Sequence, residues 1–139
     1  MLKVKLHAKG IDSKFRMALR VCVEHTLKEL GVSKRLRDRL EVSLHLRHHA
    51  AEGEAMISEW ADRYRPREFR VIIDHHRLTH DEYGREKSET EWAHDVIKTL
   101  CHELVHVSDY ISGELSWRDS GLLWRGVKHD ADTLADYFK

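Results

Sequence analysis

The chain has 139 residues, 41% of them hydrophobic and 35% charged, which predicts a single domain large enough to bury its own core. Lys plus Arg and Asp plus Glu both number 24, so with neutral histidines no overall basic field favours nucleic acid. No apolar run approaches the roughly 20 residues of a membrane span, and the first residues lack the apolar stretch of a signal peptide. We therefore expect a cytoplasmic protein with no membrane partner.

The first third of the chain predicts one strand, one helix and a basic connection. Residues 2–7 alternate between apolar and polar side chains, which is typical of a half-buried strand. Asp12 or Ser13 can cap the next helix, whose apolar residues follow helical spacing until Gly31 closes it. The basic segment 33–39 is interpreted as a solvated link.

Three further strands are predicted in the middle of the chain. Residues 42–47 alternate, residues 55–60 form an apolar run entered through Gly53, and residues 69–73 alternate after Pro66. Strands at this spacing predict a small antiparallel or mixed sheet. The loop that follows is expected to contain His75, His76 and His80.

A long helix is predicted to begin after Ser88, because Ser88 and Glu91 have the spacing of a capping box. Its apolar residues continue at helical spacing as far as Gly113, which is expected to end it. Residues 114–126 are interpreted as a loop or hairpin and residues 130–138 as a short helix. The pattern includes no repeat and no second domain.

Several side chains outside the main motif have two interpretations. Cys22 and Cys101 lie on apolar helix faces, which favours reduced core thiols over a disulfide. Tyr110 is expected to pack in the core, although it could also face a metal site. A second group of histidines could bind a metal or remain exposed on strands and loops. That group comprises His45, His48, His49, His75 and His76.

The motif with the clearest chemistry is H-E-x-x-H, formed by His102, Glu103 and His106 within an apolar, helix-forming run. Positions i and i+4 share one face of a helix, so both imidazoles can bind the same zinc ion. Glu103 then lies beside the metal as a general base, and the zinc lowers the pKa of water to about 7. The motif predicts a zinc-dependent hydrolase.

A catalytic zinc ion normally has three protein ligands, and the motif supplies two. Asp109 follows on the same predicted helix, where it could bind the metal or orient a histidine. The other candidates lie further along the chain, and the residues alone do not choose among them. They are His129, Asp130, Asp132 and Asp136.

The run from Thr99 to Val107, followed by Tyr110, Gly113-Glu114-Leu115 and Trp124-Arg125-Gly126, resembles a family of small metallopeptidases. These proteins are related to SprT-like zincins and are common in phages and bacteria. The resemblance covers roughly residues 40–139, and it is most specific over the H-E-x-x-H helix and the W-x-G motif.

The resemblance implies an α+β, zincin-like fold, in which a small sheet packs on a long active-site helix beside an N-terminal helix. It implies His102 and His106 as zinc ligands and Glu103 as general base. In phage-type relatives a glutamate ligand follows a stretch similar to Ala135–Lys139. We therefore expect the third ligand either among the residues named above or beyond Lys139, with residues 1–139 forming one domain that lacks this final segment.

The predicted function is therefore peptide-bond hydrolysis by zinc-activated water, with proteins or peptides as substrates, in the cytoplasm of a bacterial host if a phage encodes the chain. SprT-like relatives act on DNA-bound proteins, but the zero net charge does not favour carrying DNA association over. An alternative is a non-catalytic accessory or binding protein of phages or bacteria, stabilised by the metal. A further alternative is a zinc hydrolase of non-peptide amides.

Overall fold

The computed structural model describes residues 2–49, 51–59, 61, 65–118, 121–124 and 127–128. These residues confirm the predicted α+β class, with four helices and a small mixed sheet. In chain order the elements are β1 (Lys3–His7), α1 (Ser13–Glu29), α2 (Lys34–Arg37), β2 (Glu41–Arg47), β3 (Gly53–Ile57), β4 (Glu68–Asp74), α3 (His75–Thr79), α4 (Glu89–Ser112), β5 (Leu115–Arg118), β6 (Gly121–Trp124) and β7 (Val127–Lys128). Within the described ranges, no helix combines the length and the apolar character needed to cross a membrane.

The main sheet has the strand order β1-β2-β4-β3. β1, β2 and β4 are parallel, whereas β3 pairs with β4 in the antiparallel direction and forms one edge of the sheet. Because the carboxyl ends of parallel strands meet at the same end of a sheet, His7, Arg47 and Asp74 finish their strands close together.

One face of this sheet carries the core. The alternation in β2 and β4 turns apolar side chains toward α1 and α4, and those side chains are fully buried. The opposite face is polar, as the 2.9 Å ion pair between Lys5 and Glu41 illustrates. The core residues contributed by the two helices are Leu19, Val23, Leu27, Val96, Leu100, Leu104 and Val107.

The helix boundaries follow the predicted signals closely. Asp12 caps α1 by accepting the backbone N–H of Phe15 at 2.7 Å, and Gly31 follows that helix with a φ of 87°. Ser88 caps α4 by accepting the N–H of Glu91 at 3.3 Å, and Gly113 ends α4 in the left-handed region with a φ of 84°. After α4, strands β5 to β7 form an antiparallel meander, which agrees with the predicted hairpin.

Two connections differ from their predictions. The basic link contains the short helix α2, capped by Ser33, and Arg37 is buried with its guanidinium near Glu24 and the Val32 carbonyl. The expected loop after β4 is the helix α3, because Asp74 accepts the N–H of Arg77 at 3.0 Å and thereby starts a helical turn. The predicted helix at 130–138 lies outside the described residues.

Candidate metal centre

The side chains of the H-E-x-x-H motif lie together on α4. His102, Glu103 and His106 have ligand atoms within 4.8 Å of one another, and the two imidazole rings meet edge to face at 5.0 Å. His102 is exposed, whereas Glu103 and His106 are buried. The group thus extends from the solvent toward the core.

The position of this group follows from how α4 packs. Val96, Leu100, Leu104 and Val107 recur at helical spacing and pack against the sheet and α1. Two of the motif residues, His102 and Glu103, line a cleft beside the same helix, and Glu103 also faces β3. The local sequence determines which face carries the histidines, and the core packing determines where that face points.

Gly53, the first residue of β3, lies against Glu103. A β-carbon placed on Gly53 would be 2.8 Å from Thr99 Cγ2 and 3.0 Å from both Cγ and Oε1 of Glu103. Only a residue without a side chain allows α4 to approach the edge strand this closely. The sequence marked Gly53 as the entry to a strand but gave no sign of its contact with the motif.

The surroundings of Glu103 shift its acidity. Burial raises the pKa of its carboxyl group from 4.5 to about 7, and the nearby negative charge of Glu54 acts in the same direction. The carboxyl group therefore exchanges its proton near neutral pH.

His106 is shifted in the opposite direction. Burial lowers the pKa of its imidazole from 6.5 to about 4, and the proximity of His102 lowers it further. At neutral pH His106 is therefore an uncharged imidazole, which is the form that binds metal ions.

A cleft of about 750 Å³ opens beside the motif. His102 and Glu103 form part of one wall, Ala51 to Gly53 form another, and Arg77 and Leu78 of α3 contribute a third. Lys87 and Asp95 also line the cleft and form an ion pair at 2.8 Å. The cleft is large enough for several residues of a peptide chain.

The third ligand is not identified within the described residues. There, the only group of three potential ligands within 4.8 Å consists of His102, Glu103 and His106. Asp109 lies on α4 but does not belong to this group. The remaining candidates, His129, Asp130, Asp132 and Asp136, lie outside the described residues.

The other residues singled out from the sequence have varied environments. Tyr110 is buried beside Phe69, as expected for packing, with ring centroids 6.2 Å apart. Cys22 and Cys101 are free thiols with sulfur atoms 3.7 Å apart, which confirms the prediction of reduced cysteines, although both are only half-buried.

The second histidine group divides into separate contacts. His45 stacks on His7, His49 lies 2.6 Å from the Glu54 carboxylate, and His75 meets the Trp92 ring edge to face. His48 and His76 remain near each other, with ring centroids 5.9 Å apart. His80, which the sequence placed in the same loop but not in this group, stacks on His76 at 4.3 Å. The i, i+4 spacing of His76 and His80 would have indicated this contact if the segment had been predicted to be helical.

No protein-family model, no curated protein and no solved structure matches the chain. The resemblance to SprT-like zincins therefore stays a prediction.

Proposed function

We propose that this chain is a zinc-dependent metallopeptidase of zincin-like architecture, in which His102 and His106 bind the ion and Glu103 is the general base. The observation that carries the proposal is the group of two imidazoles and one carboxylate within 4.8 Å beside an open cleft. The donor set suits zinc, because an uncharged imidazole such as His106 is among its preferred ligands. A bound zinc ion supplies a Lewis acid and lowers the pKa of water.

The chain's own contribution to catalysis is proton transfer by Glu103. A base works best when its pKa lies near the working pH, and in the metal-free chain burial brings the pKa of Glu103 to about 7. Glu103 is thus suited to take a proton from the attacking water and pass it to the leaving amine. Gly53 leaves room for this side chain, because a β-carbon at that position would lie 3.0 Å from both Cγ and Oε1 of Glu103.

The edge strand offers a way to bind an extended peptide. Within the described part of the sheet, β3 is an edge strand that pairs only with β4, and an edge of this kind can accept a further strand. A peptide added at this edge would pass Glu103, because Gly53 at the start of β3 touches that side chain. The geometry therefore favours a peptide substrate over a small amide.

The test is hydrolysis of an unfolded, fluorescently labelled protein by the zinc-loaded full chain, with cleavage products identified by mass spectrometry. We expect cleavage by the wild type and a loss of roughly 100-fold or more in rate for Glu103→Gln, with zinc content unchanged. Glu29→Gln, which alters an exposed carboxylate on α1, is the matched control and should behave as the wild type. Absence of cleavage by the zinc-loaded wild type, or equal rates for Glu103→Gln, would contradict the proposal and favour a metal-stabilised binding protein.

A further inference from the structure

A second cleft, of about 1010 Å³, lies at the carboxyl ends of the parallel strands β1, β2 and β4. We call it the histidine cleft, because six histidines line it: His7, His45, His48, His75, His76 and His80. The carboxyl ends of parallel strands are where open α/β sheets commonly bind ligands.

Three of these histidines already have ring partners that account for their positions. His7 and His45 stack face to face with centroids 4.3 Å apart, and His75 packs on Trp92. The other three are His48, His76 and His80. They form a chain of ring contacts, with centroid distances of 5.9 Å and then 4.3 Å.

The hydrogen bonding of His80 leaves one ring nitrogen available. Its Nδ1 lies 3.1 Å from the backbone carbonyl oxygen of His76 and 3.0 Å from the Thr79 hydroxyl. A carbonyl oxygen can only accept, so a hydrogen bond to the His76 carbonyl requires the tautomer with the hydrogen on Nδ1, which leaves the lone pair on Nε2. Histidines that bind metals commonly donate their second N–H to a backbone carbonyl in this way.

His48 lies near a buried carboxylate. Its Nδ1 lies 3.7 Å from Oδ1 of Asp74, whose side chain is fully buried. Burial by itself raises the pKa of Asp74, but the backbone N–H groups of Arg77 and His49 lower it, and the net direction is downward. The Asp74 carboxylate faces the Nδ1 side of the His48 ring, at a distance longer than that of a direct hydrogen bond.

We propose that His48, His76 and His80 form a second site for a divalent transition-metal ion of the zinc class, with Asp74 as the residue that positions His48. Imidazole nitrogens suit zinc, copper and nickel, and the carboxylate–histidine arrangement is one that such sites use. The three rings do not yet meet the 4.8 Å criterion fulfilled by the H-E-x-x-H group among the described residues. His48 must turn toward the other two, and its side chain is 84% exposed and has room to do so.

An ion at this site would connect two walls of the neighbouring catalytic cleft. His48 follows β2 and leads into the segment that includes Ala51 and Glu52, and His76 precedes Arg77 on α3. Linking the end of β2 to α3 would limit how far these walls separate. The second site does not depend on hydrolysis at Glu103.

Zinc titration of the metal-stripped full chain, followed by competition with a chromophoric chelator, tests this proposal. We expect two ions per wild-type chain, one in His102→Ala, and one in the double variant His76→Ala/His80→Ala. Asp74→Asn should weaken the second site about tenfold or more, because asparagine keeps the helix cap but removes the orienting charge. His25→Ala, an exposed histidine on α1, is the matched control and should leave both sites unchanged.

The two proposals fail in different ways. A wild-type chain that binds one ion, lost in His102→Ala and retained in His76→Ala/His80→Ala, would overturn the second site and leave the catalytic one. Retention of two ions in His76→Ala/His80→Ala would also overturn it, since the ion would then have other ligands. Electron paramagnetic resonance of Cu²⁺ bound to His102→Ala is an independent measurement. The signal should show hyperfine coupling to several imidazole nitrogens. A signal without such coupling would count against the assignment.

Discussion

Glu103 is a carboxyl group with only 3% of its surface exposed, on the wall of an open cleft. The backbone of Gly53 touches one side, and the Glu54 carboxylate adds negative charge nearby. A buried carboxylate lowers the free energy of unfolding unless a partner compensates its charge. The helical sequence pattern around Glu103 gives no sign of this cost. A helix residue with these properties is better explained by function than by folding.

In metal-free protein, Glu103→Gln should therefore increase stability at alkaline pH. The pKa of Glu103 is raised to about 7 in the fold, so the wild type loses stability as pH rises from about 4.5 through 7, whereas glutamine has no proton to lose. The gain should be small near pH 5 and about 1–2 kcal/mol near pH 8, reduced from the full shift because the cleft admits some water.

Urea unfolding of both chains in the presence of a chelator, at the two pH values, measures this difference. A glutamine variant less stable than the wild type at pH 8 would show that Glu103 has a stabilising partner when no metal is bound.

Gly53→Ala should disturb both the fold and the motif. The added methyl group would meet the stiff Thr99 side chain at 2.8 Å and Glu103 at 3.0 Å, so α4 must shift away from β3. We expect a loss of about 1–3 kcal/mol in the free energy of unfolding and weaker zinc binding.

Thr99→Ser in the Gly53→Ala background provides the control, because serine lacks the methyl group nearest to the clash. Partial recovery in a double-mutant cycle would support the contact. Strictly additive effects of the two substitutions would indicate that the two residues do not touch.

Among the elements, α4 has one face that packs in the core and another that carries the H-E-x-x-H side chains. Leu104 lies between the two motif histidines in the sequence, and its side chain is fully buried. Its neighbour Val105 is 40% exposed. Leu104→Ala should lower the free energy of unfolding by about 2–5 kcal/mol, whereas Val105→Ala should change it by about 0.5 kcal/mol or less. Chemical denaturation of the two variants compares adjacent positions on one helix, and equal effects would mean that the assigned core face is wrong.

The contact between α1 and α4 includes a pair of thiols. Burial raises the pKa of Cys22 to about 11, and Cys101 lies beside it. Because the thiolate is the reactive form, Cys22 should react with iodoacetamide far more slowly in the folded chain at neutral pH than in denaturant. Mass spectrometry of timed samples measures this, and equal labelling rates would contradict the raised pKa of the Cys22 thiol.

How well an element could be predicted from sequence depended on whether its signals were local. The ends of α4 were predictable because Ser88 and Gly113 act on backbone groups within one turn. α3 was not, because five residues with three consecutive polar side chains show no helical periodicity, and the capping role of Asp74 was not recognised. α2 was not predicted for the same reason, because the four residues Lys34–Arg37 are too few to show a helical period.

At the scale of the whole molecule, α3 separates two clefts. His76 and His80 line one cleft, and Arg77 and Leu78 line the other. The sequence predicted strands and a mixed sheet, but not the order β1-β2-β4-β3, because strand order depends on contacts between distant residues. The same limit applies to the site: the two histidines and Glu103 were evident from their spacing, whereas Gly53 and Glu54 reach Glu103 only through the fold.

The most direct test of the central claim is the zinc affinity of three chains: the wild type, His106→Ala and Glu103→Gln. Competition titration with a chromophoric chelator gives the affinity and the number of ions for each. We predict that His106→Ala loses one ion that the wild type binds, and that Glu103→Gln retains that ion because the role proposed for Glu103 is proton transfer. Equal zinc binding by the wild type and His106→Ala would contradict the assignment of this group as a metal centre.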